Sequence, residues 1–282
     1  MAYAEFPELL REVPDAPKQL YVRGLIPSYD EYTFLCVVGS RAATQYGRRA
    51  CASLVAGLAG MPIVIVSGLA LGMDAEAHKA ALDAGLPTIA VLPSSVDDES
   101  IYPRNNFSLA MRILESGGAL ISEYDAGSKV AQWTFPARNR IMAGLSHATL
   151  IVEASEKSGT QITARLALDY NRDVMCVPHP LGSESGAGGN RLIREGAILV
   201  RDSDDILDTL NLKRATEGGA QLALPLDLTE SEHAIMLALT EPLERDELIL
   251  RASLTAQSVN IALSSLSLRG LIVERMGKIE RV

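Results

Sequence analysis

Glycine, hydroxyl and basic residues follow most of the apolar runs in this sequence of 282 residues. Glycine lets a backbone approach a ligand closely, serine and threonine donate hydrogen bonds, and arginine binds phosphate through two parallel hydrogen bonds. The candidate residues are Gly39, Ser40, Arg41, Ser67, Gly68, Arg104, Asn106, Lys129, Phe135, Arg138, Asn139, Arg140, Ser158, Gly159, Thr160 and Asn190. If these segments share one edge of the fold, they predict an anion site longer than one nucleotide.

One of these segments combines an aromatic ring with charged and polar side chains. Phe135 is followed closely by Arg138 and Asn139, and this combination suits base stacking together with phosphate binding. A flexible polynucleotide is therefore the ligand that the segment favours. The arginines expected to form one compact positive ledge are Arg41, Arg104, Arg138 and Arg140.

Each segment also has a purely structural interpretation. The stretch 39–41 can form only a tight turn between a strand and a helix. The stretches 67–72 and 158–160 can turn the chain and cap a helix without touching a ligand. Trp133 can belong to the apolar core. Both interpretations stay open at the level of the sequence.

Motifs for the common covalent chemistries are missing from the sequence. It holds no GxxxxGK[ST] phosphate loop, no GxGxxG after the first apolar run, no GxSxG, no HExxH and no carboxylate cluster for two metal ions. Asp74 and His78 stand four residues apart and could form an acid–base pair, although a local side-chain bond is the commoner use of such a pair. We therefore expect a binding protein rather than an enzyme, with no catalytic residue, metal or cofactor.

The elements that must position these residues alternate between short apolar runs and helical patterns. Runs that are β-branched and apolar on both faces are typical of parallel strands covered by helices. They lie at 33–39, 63–68, 87–93, 118–123, 148–154, 173–178 and 197–200, with helical patterns at 43–59, 74–84, 105–116 and 160–171. The fold class predicted is α/β, a doubly wound and mostly parallel sheet, whose ligands bind beyond the carboxyl ends of the strands.

The domain organisation follows from changes in this pattern. Residues 1–32 form an N-terminal arm, 33–212 the Rossmann-like domain that carries the site, and 213–226 a glycine-containing linker. Residues 227–282 contain a capping box at Thr229, three helical patterns and a short hairpin, the order of a winged helix. This last part has six Lys and Arg against nine Asp and Glu, so we expect it to mediate protein contacts or weak auxiliary binding.

Composition sets the broad class of the protein. With 48% hydrophobic and 22% charged residues, the chain is ordinary for a globular protein rather than a disordered one. The net charge of −9 argues against a nonspecific polyanion binder unless the cations collect on one rim. The first residues lack the pattern of a signal peptide, and no apolar run is long enough to span a membrane, so we expect a cytoplasmic location without membrane contact. The three cysteines are expected to be buried and inert.

The motifs of this sequence resemble those of the DNA processing protein A (DprA/Smf) family over about residues 17–200. The matching segments are PKQLYVRG at 17–24, VGSR at 38–41, SGLALGMDAEAH at 67–78, YPRNN at 102–106, ISEY at 121–124, FPARNRIMAGL at 135–145, VEASEKSGTQITA at 152–164 and GGNRLIREGA at 188–197. The resemblance implies an extended Rossmann fold that binds single-stranded DNA as a homodimer and loads the RecA recombinase on incoming strands during natural transformation.

The same resemblance assigns roles to particular residues. By motif match, the DNA groove would be lined by Gly39, Ser40, Arg41, Phe135, Arg138 and Asn139. Arg104 would replace a lysine that the family often has after Tyr-Pro. Gln132 stands where the family often has a lysine, and Lys129 is the residue that could supply that charge.

Two other functions stay open. The related Rossmann-like nucleotide phosphoribohydrolases (the LOG family) use a PGGxGTxxE pattern. Here Gly159 and Thr160 have no Pro-Gly-Gly before them and no glutamate at the required position after them. A relative of the DprA/Smf family that serves another DNA-processing pathway is the other alternative.

Overall fold

The computed structural model describes residues 6–214, 228–239, 243–252, 254–269, 271–275 and 277–281. The chain divides into two units, Met1–Arg214 and Ala215–Val282. Most of the predicted linker at 213–226 lies outside the described residues. No helix within the described ranges is both long enough and apolar enough to cross a membrane.

The first unit alternates strands and helices along the chain. Its elements are α1 (Glu8–Arg11), β1 (Tyr21–Gly24), β2 (Thr33–Gly39), α2 (Gln45–Ala56), β3 (Ile63–Ser67), α3 (Met73–Asp83), β4 (Thr88–Val91), a 3₁₀ turn (Arg104–Asn106), α4 (Phe107–Glu115), β5 (Ala119–Ser122), α5 (Thr134–Leu145), β6 (Ala148–Glu153), α6 (Thr160–Asp169), β7 (Asp173–Cys176), α7 (Ala187–Arg194), β8 (Ile198–Leu199) and α8 (Ser203–Thr209).

The strands form one eight-stranded sheet in the order β1-β5-β4-β3-β2-β6-β7-β8. All neighbours are parallel except β1, which pairs antiparallel with β5. The chain moves outward from β2 through β3, β4 and β5, then returns through α5 to β6 on the other side of β2. The strand order therefore reverses between β2 and β6, where an open α/β sheet places its ligand crevice.

Two apolar layers cover the faces of this sheet. Side chains of β2 alternate between them, so that Phe34 and Cys36 pack on one face and Leu35 and Val37 on the other. The first face is covered by α1, α5, α6 and α7, and the second by α2, α3, α4 and α8. Because both faces are covered, β3 is buried along its whole length, and its β-branched residues suit that position.

The structure confirms the predicted fold class and the seven predicted strands within a few residues at each end. It also contains elements that the sequence pattern did not predict. The FPARNR segment lies in α5 and residues 188–194 lie in α7, and neither stretch was among the predicted helical patterns. Residues 21–24, assigned only to an arm, form the edge strand β1.

The second unit contains α9 (Glu230–Ala238), β9 (Leu243–Glu244), α10 (Arg245–Ala252), α11 (Ala256–Leu268), β10 (Ile272–Arg275) and β11 (Lys278–Arg281). Its strands form a three-stranded antiparallel sheet in the order β10-β11-β9. The predicted capping box is present, because the Thr229 hydroxyl accepts from the Glu232 backbone while the Glu232 carboxylate accepts from the Thr229 backbone. These elements enclose an apolar core of their own.

Candidate functional site

A cleft of about 520 Å³ opens where the strand order reverses, at the carboxyl ends of β2 and β6. Segments that are far apart in the sequence meet there: the turn after β2, the start of α3, the first turns of α5 and the start of α6. The cleft brings together nine of the predicted site residues, namely Gly39, Ser40, Arg41, Phe135, Arg138, Asn139, Ser158, Gly159 and Thr160. Gly68 lines a small recess beside it, which also contacts Arg41 and Phe135.

The turn after β2 is held by a buried carboxylate at the end of β6. The Ser40 amide donates to the backbone carbonyl of Glu153 at 2.8 Å, and the Thr44 amide donates to its Oε2 atom, also at 2.8 Å. From the other side, the Met73 amide donates to the Ser40 carbonyl at 3.0 Å. These bonds fix the backbone on both sides of Arg41, which projects from the turn into solvent.

Arg41 is the exposed cation of the cleft. Its guanidinium carbon lies 4.8 Å from the centre of the Phe135 ring, a cation–π distance. Phe135 in turn meets Tyr102 edge to face, with 6.0 Å between ring centres. The pair therefore offers a positive charge and an aromatic ring side by side, which a polynucleotide can use for phosphate and base contacts.

The start of α6 forms the opposite side of the cleft. The Ser158 hydroxyl accepts from the Thr160 amide at 3.2 Å and lies 2.9 Å from the Thr160 hydroxyl. Gly159 faces open space, since a Cβ atom built on it would have no neighbour within 4 Å. The amino end of a helix of this length carries a partial positive charge that favours an anion.

Arg138 lies beneath the cleft, and the predicted phosphate contact from its guanidinium is wrong. Only 4% of the residue is exposed. Its Nη1 atom donates to the carbonyls of Gly68 and Val91, and its Nη2 atom lies 4.0 Å from Asp74 Oδ2. A Cβ atom on Gly68 would overlap the guanidinium, so glycine is required there to admit it. Arg138 thus holds the loop after β3 in place.

Burial governs the titration of the groups below the cleft. It raises the pKa of Asp74, and the nearby Arg138 opposes that shift. Burial, with a smaller contribution from Arg138, lowers the pKa of His78 to about 3. Because His78 Nδ1 bonds Thr88 Oγ1 at 2.7 Å, and the Asp74 carboxylate accepts from the Ala70 amide, the structure does not support an acid–base pair.

Three predicted site residues form hydrogen bonds within the protein, which corrects their assignment as DNA contacts. The buried Ser67 hydroxyl donates to the Val37 carbonyl at 2.6 Å. Asn106 Nδ2 donates to the carbonyls of Leu69 and Ala70, at 2.8 and 3.2 Å. Asn190 exchanges hydrogen bonds with both backbone groups of His179. Ser67 joins β3 to β2, whereas Asn106 and Asn190 fix loops at the rim.

The expected ledge of four arginines is also wrong. Arg140 is mostly buried and its Nη2 atom binds both carboxylate oxygens of Glu123, at 2.7 and 2.6 Å. Arg104 is exposed but outside the cleft, 4.2 Å above the Phe107 ring. Lys129 is exposed in the connection between β5 and α5, and it is not part of the cleft lining.

Sequence reasoning missed residues that the structure places at or near the site. Glu153 holds the turn after β2 and is the last residue of β6, whose other residues are apolar or Thr. A carboxylate at the end of a buried strand is the sequence signal that could have identified this residue. Tyr102 lies against Phe135. Trp133, considered a core candidate, is 65% exposed. Within the described residues, no group of three or more His, Cys, Asp or Glu is placed to hold a metal ion.

Comparisons with known proteins give the same family throughout the first unit. A model of the family described as DNA recombination-mediator protein A matches residues 1–211. Protein Smf of Escherichia coli is 42% identical over 205 residues, covering 73% of this chain and 54% of that protein. DNA processing protein DprA of Streptococcus pneumoniae is 38% identical over 202 residues, covering 72% of this chain and 70% of that protein.

Solved structures agree with these matches. The X-ray structure of DprA from Streptococcus pneumoniae has a TM-score of 0.68 and 35% identity, over 74% of this chain and 72% of that one. DprA from Helicobacter pylori, described for its single-stranded DNA binding mode, has a TM-score of 0.66 and 32% identity. The match covers 73% of this chain and 93% of that one. The matched region spans about half the length of the first curated relatives, at 54% and 56%.

Proposed function

This chain belongs to the DNA recombination-mediator protein A family, and from that premise we propose that it binds single-stranded DNA in the cleft between β2 and β6. It acts as a mediator in the cytoplasm, protecting incoming strands and loading the RecA recombinase on them during natural transformation. Binding involves no covalent step.

The observation that carries this proposal is the contact between Arg41 and Phe135. An exposed guanidinium 4.8 Å from an aromatic ring, opposite the start of a helix, combines attraction for phosphate with a surface for bases. Neither group reads sequence, so binding should tolerate any base order. The Helicobacter pylori relative, described for its binding of single-stranded DNA, supports the same ligand.

The number of available cations limits the strength of the phosphate term. With Arg138 buried and Arg140 paired, the exposed predicted cations are Arg41 in the cleft and Arg104 and Lys129 outside it. If about three phosphates are neutralised, log affinity should fall with log salt at a slope near −2, at about −0.7 per phosphate. Stacking must supply the remaining affinity.

Other parts of the molecule serve assembly in this proposal. The edge strand β8 exposes Ile198 and Leu199, at 37% and 42%, and an open apolar edge supports formation of a homodimer. We interpret the second unit as a winged helix that contacts protein. Its helix α11 has no Lys or Arg within its bounds, so it lacks the cations of a DNA-reading helix.

A salt series with two DNA substrates tests the proposed function. Fluorescence anisotropy of a labelled oligo-dT of about 20 nucleotides, a length that exceeds most single-strand binding sites, should report binding with the slope given above. A duplex of matched length should bind more weakly, since its bases are not free to stack. Equal or tighter binding of the duplex, or none of the oligo-dT, would overturn the proposal.

The enzyme alternative is tested in the same preparation. Incubation with nucleoside monophosphates should release no free base above a protein-free control. Release of base by the purified protein, lost in the Arg41→Ala variant, would instead support a nucleotide phosphoribohydrolase.

A further inference from the structure

Beyond the cleft, aromatic side chains come after the carboxyl ends of β4 and β5, two neighbouring strands of the sheet. Phe135 and Tyr102 meet in the recess that is also lined by Gly68 and Pro93, which follow β3 and β4. Next along the rim, Tyr124 follows β5 and meets Trp133 edge to face, with 5.7 Å between ring centres and 76° between planes. Each pair therefore contains one ring from the start of α5, and of these four rings Phe135 alone lines the cleft.

Trp133 is held in place but is largely uncovered. It precedes the first residue of α5, one position before Thr134 and two before Phe135, so a single helix start positions the rings of both pairs. The indole is 65% exposed, which is unusual for a large apolar side chain with a fixed neighbour. The Tyr124 amide donates to the Ser122 hydroxyl at 3.0 Å, and this bond fixes the backbone beneath the ring contact.

Apart from Lys129 in the same connection, the charged groups near this second pair suit a base better than a phosphate. Arg140 already neutralises Glu123, so its charge is not available to a phosphate beneath the rings. Asp125 is exposed nearby and would repel a phosphate. Burial, followed by the charge of Glu123, raises the pKa of Tyr124, which keeps its ring neutral. An uncharged, exposed and anchored indole is the kind of surface on which a base stacks.

We propose that Trp133, supported by Tyr124, is a second stacking platform for the single strand bound at Arg41 and Phe135. The strand would run along the rim from the start of α6, across the cleft, to the end of β5. This inference rests on the proposed function and adds the direction of the bound strand.

Trp133 is the only tryptophan of the chain, so its fluorescence reports on this position alone. The full-length protein is titrated with oligo-dT of about 20 nucleotides, while anisotropy of a labelled copy measures binding independently. Quenching of the tryptophan emission that saturates at the same concentration as the anisotropy is the expected result. Binding without a change in emission would overturn the platform and leave the proposed function intact, whereas no binding at all would overturn the proposed function itself.

Substitutions separate stacking from charge. Trp133→Ala should weaken oligo-dT binding by about fivefold to tenfold without changing its salt slope, because no phosphate contact is lost. Trp133→Phe should restore most of the affinity. Leu168→Ala is the matched control, because it removes a side chain of similar exposure, 57%, from α6 outside the cleft lining and should leave affinity unchanged. An affinity of Trp133→Ala equal to that of the wild type, with equal thermal stability, would refute the platform.

Discussion

Arg41 and Arg138 line the same cleft, yet the first projects into solvent and the second is 4% exposed. The exposed layer consists of Arg41, Phe135 and the start of α6. The supporting layer consists of Arg138, Asp74 and Glu153, whose charges are buried and bonded to one another or to backbone groups. The contrast shows that burial, and not residue type, decides whether a charge is available to a ligand.

Removing Arg138 should produce the largest effect on the supporting layer. Arg138→Ala leaves the Asp74 carboxylate without its partner and two carbonyls without their donor. Loss of one member of a buried pair costs about 3–5 kcal/mol, so the free energy of unfolding in urea should fall by that amount. The double variant Arg138→Met with Asp74→Asn should recover part of it. Lost DNA affinity with unchanged stability would make Arg138 a direct contact and end the division into two layers.

Glu153 tests the supporting layer from the other side of the cleft. Glu153→Ala removes the acceptor of the Thr44 amide, which should cost about 1–3 kcal/mol in urea unfolding. DNA affinity should fall as well, because the turn that presents Arg41 loses its anchor. Glu153→Gln keeps one carbonyl oxygen and is the matched control, expected to retain most of both properties. If Glu153→Ala unfolds like the wild type, the anchor assigned to this carboxylate is wrong.

His78 makes the stability of the supporting layer depend on pH. Its pKa is lowered to about 3 by burial, against an ordinary value of 6.5, so between these values only the unfolded chain binds the extra proton. The contribution of His78 to the free energy of unfolding is therefore complete above pH 6.5. As the pH falls below 6.5, this contribution declines by about 1.4 kcal/mol per pH unit. Because the pKa of Asp74 is raised, its titration changes the free energy of unfolding in the opposite direction. A comparison of the wild type with a His78 variant therefore isolates the contribution of His78.

Urea unfolding at several pH values measures this dependence. His78→Leu should flatten the curve between about pH 4 and 6.5, inside the window set by the two pKa values, while keeping the cleft intact. The same slope in the wild type and the variant would mean that other groups cause the acid sensitivity.

The strands could be predicted from the sequence because their physical signal is simple. Parallel strands covered on both faces need apolar, β-branched residues at every position, and β3 satisfies this nearly throughout, with a polar residue only at Ser67. The predicted parallel sheet also implied that the site residues share one edge, because the carboxyl ends of parallel strands meet there. Nine of the predicted site residues line the cleft at that edge.

The sequence pattern did not predict helix α5, and the reason is also physical. Its buried stripe runs through Thr134, Arg138, Ile141 and Leu145, so a cation stands where helical periodicity requires an apolar residue. Helix α7 was hidden by glycines. A Cβ atom on Gly188 would lie 2.5 Å from the Ser155 carbonyl, so the glycine serves close packing and not a loop.

Roles of single arginines could not be predicted, because they depend on partners brought together only by the fold. Arg140 binds Glu123, which follows the preceding strand, and Arg138 binds carbonyls 47 and 70 residues away in the sequence. In the sequence both side chains look as available as that of Arg41. Only the tertiary structure separates a charge that supports the site from one that faces its ligand.

Arg41 gives the smallest effect on stability and the sharpest test of the exposed layer. Because it is exposed and its contact is with the Phe135 ring, Arg41→Ala should change the unfolding free energy by no more than about 0.5 kcal/mol. Oligo-dT affinity should nevertheless fall for every sequence, and the salt slope should flatten by about 0.7, the share of one phosphate. Arg41→Lys, which keeps the charge but not the planar group, should restore the slope more fully than the affinity. A variant that loses stability along with affinity would place Arg41 in the supporting layer, and an unchanged slope would show that its charge does not meet a phosphate.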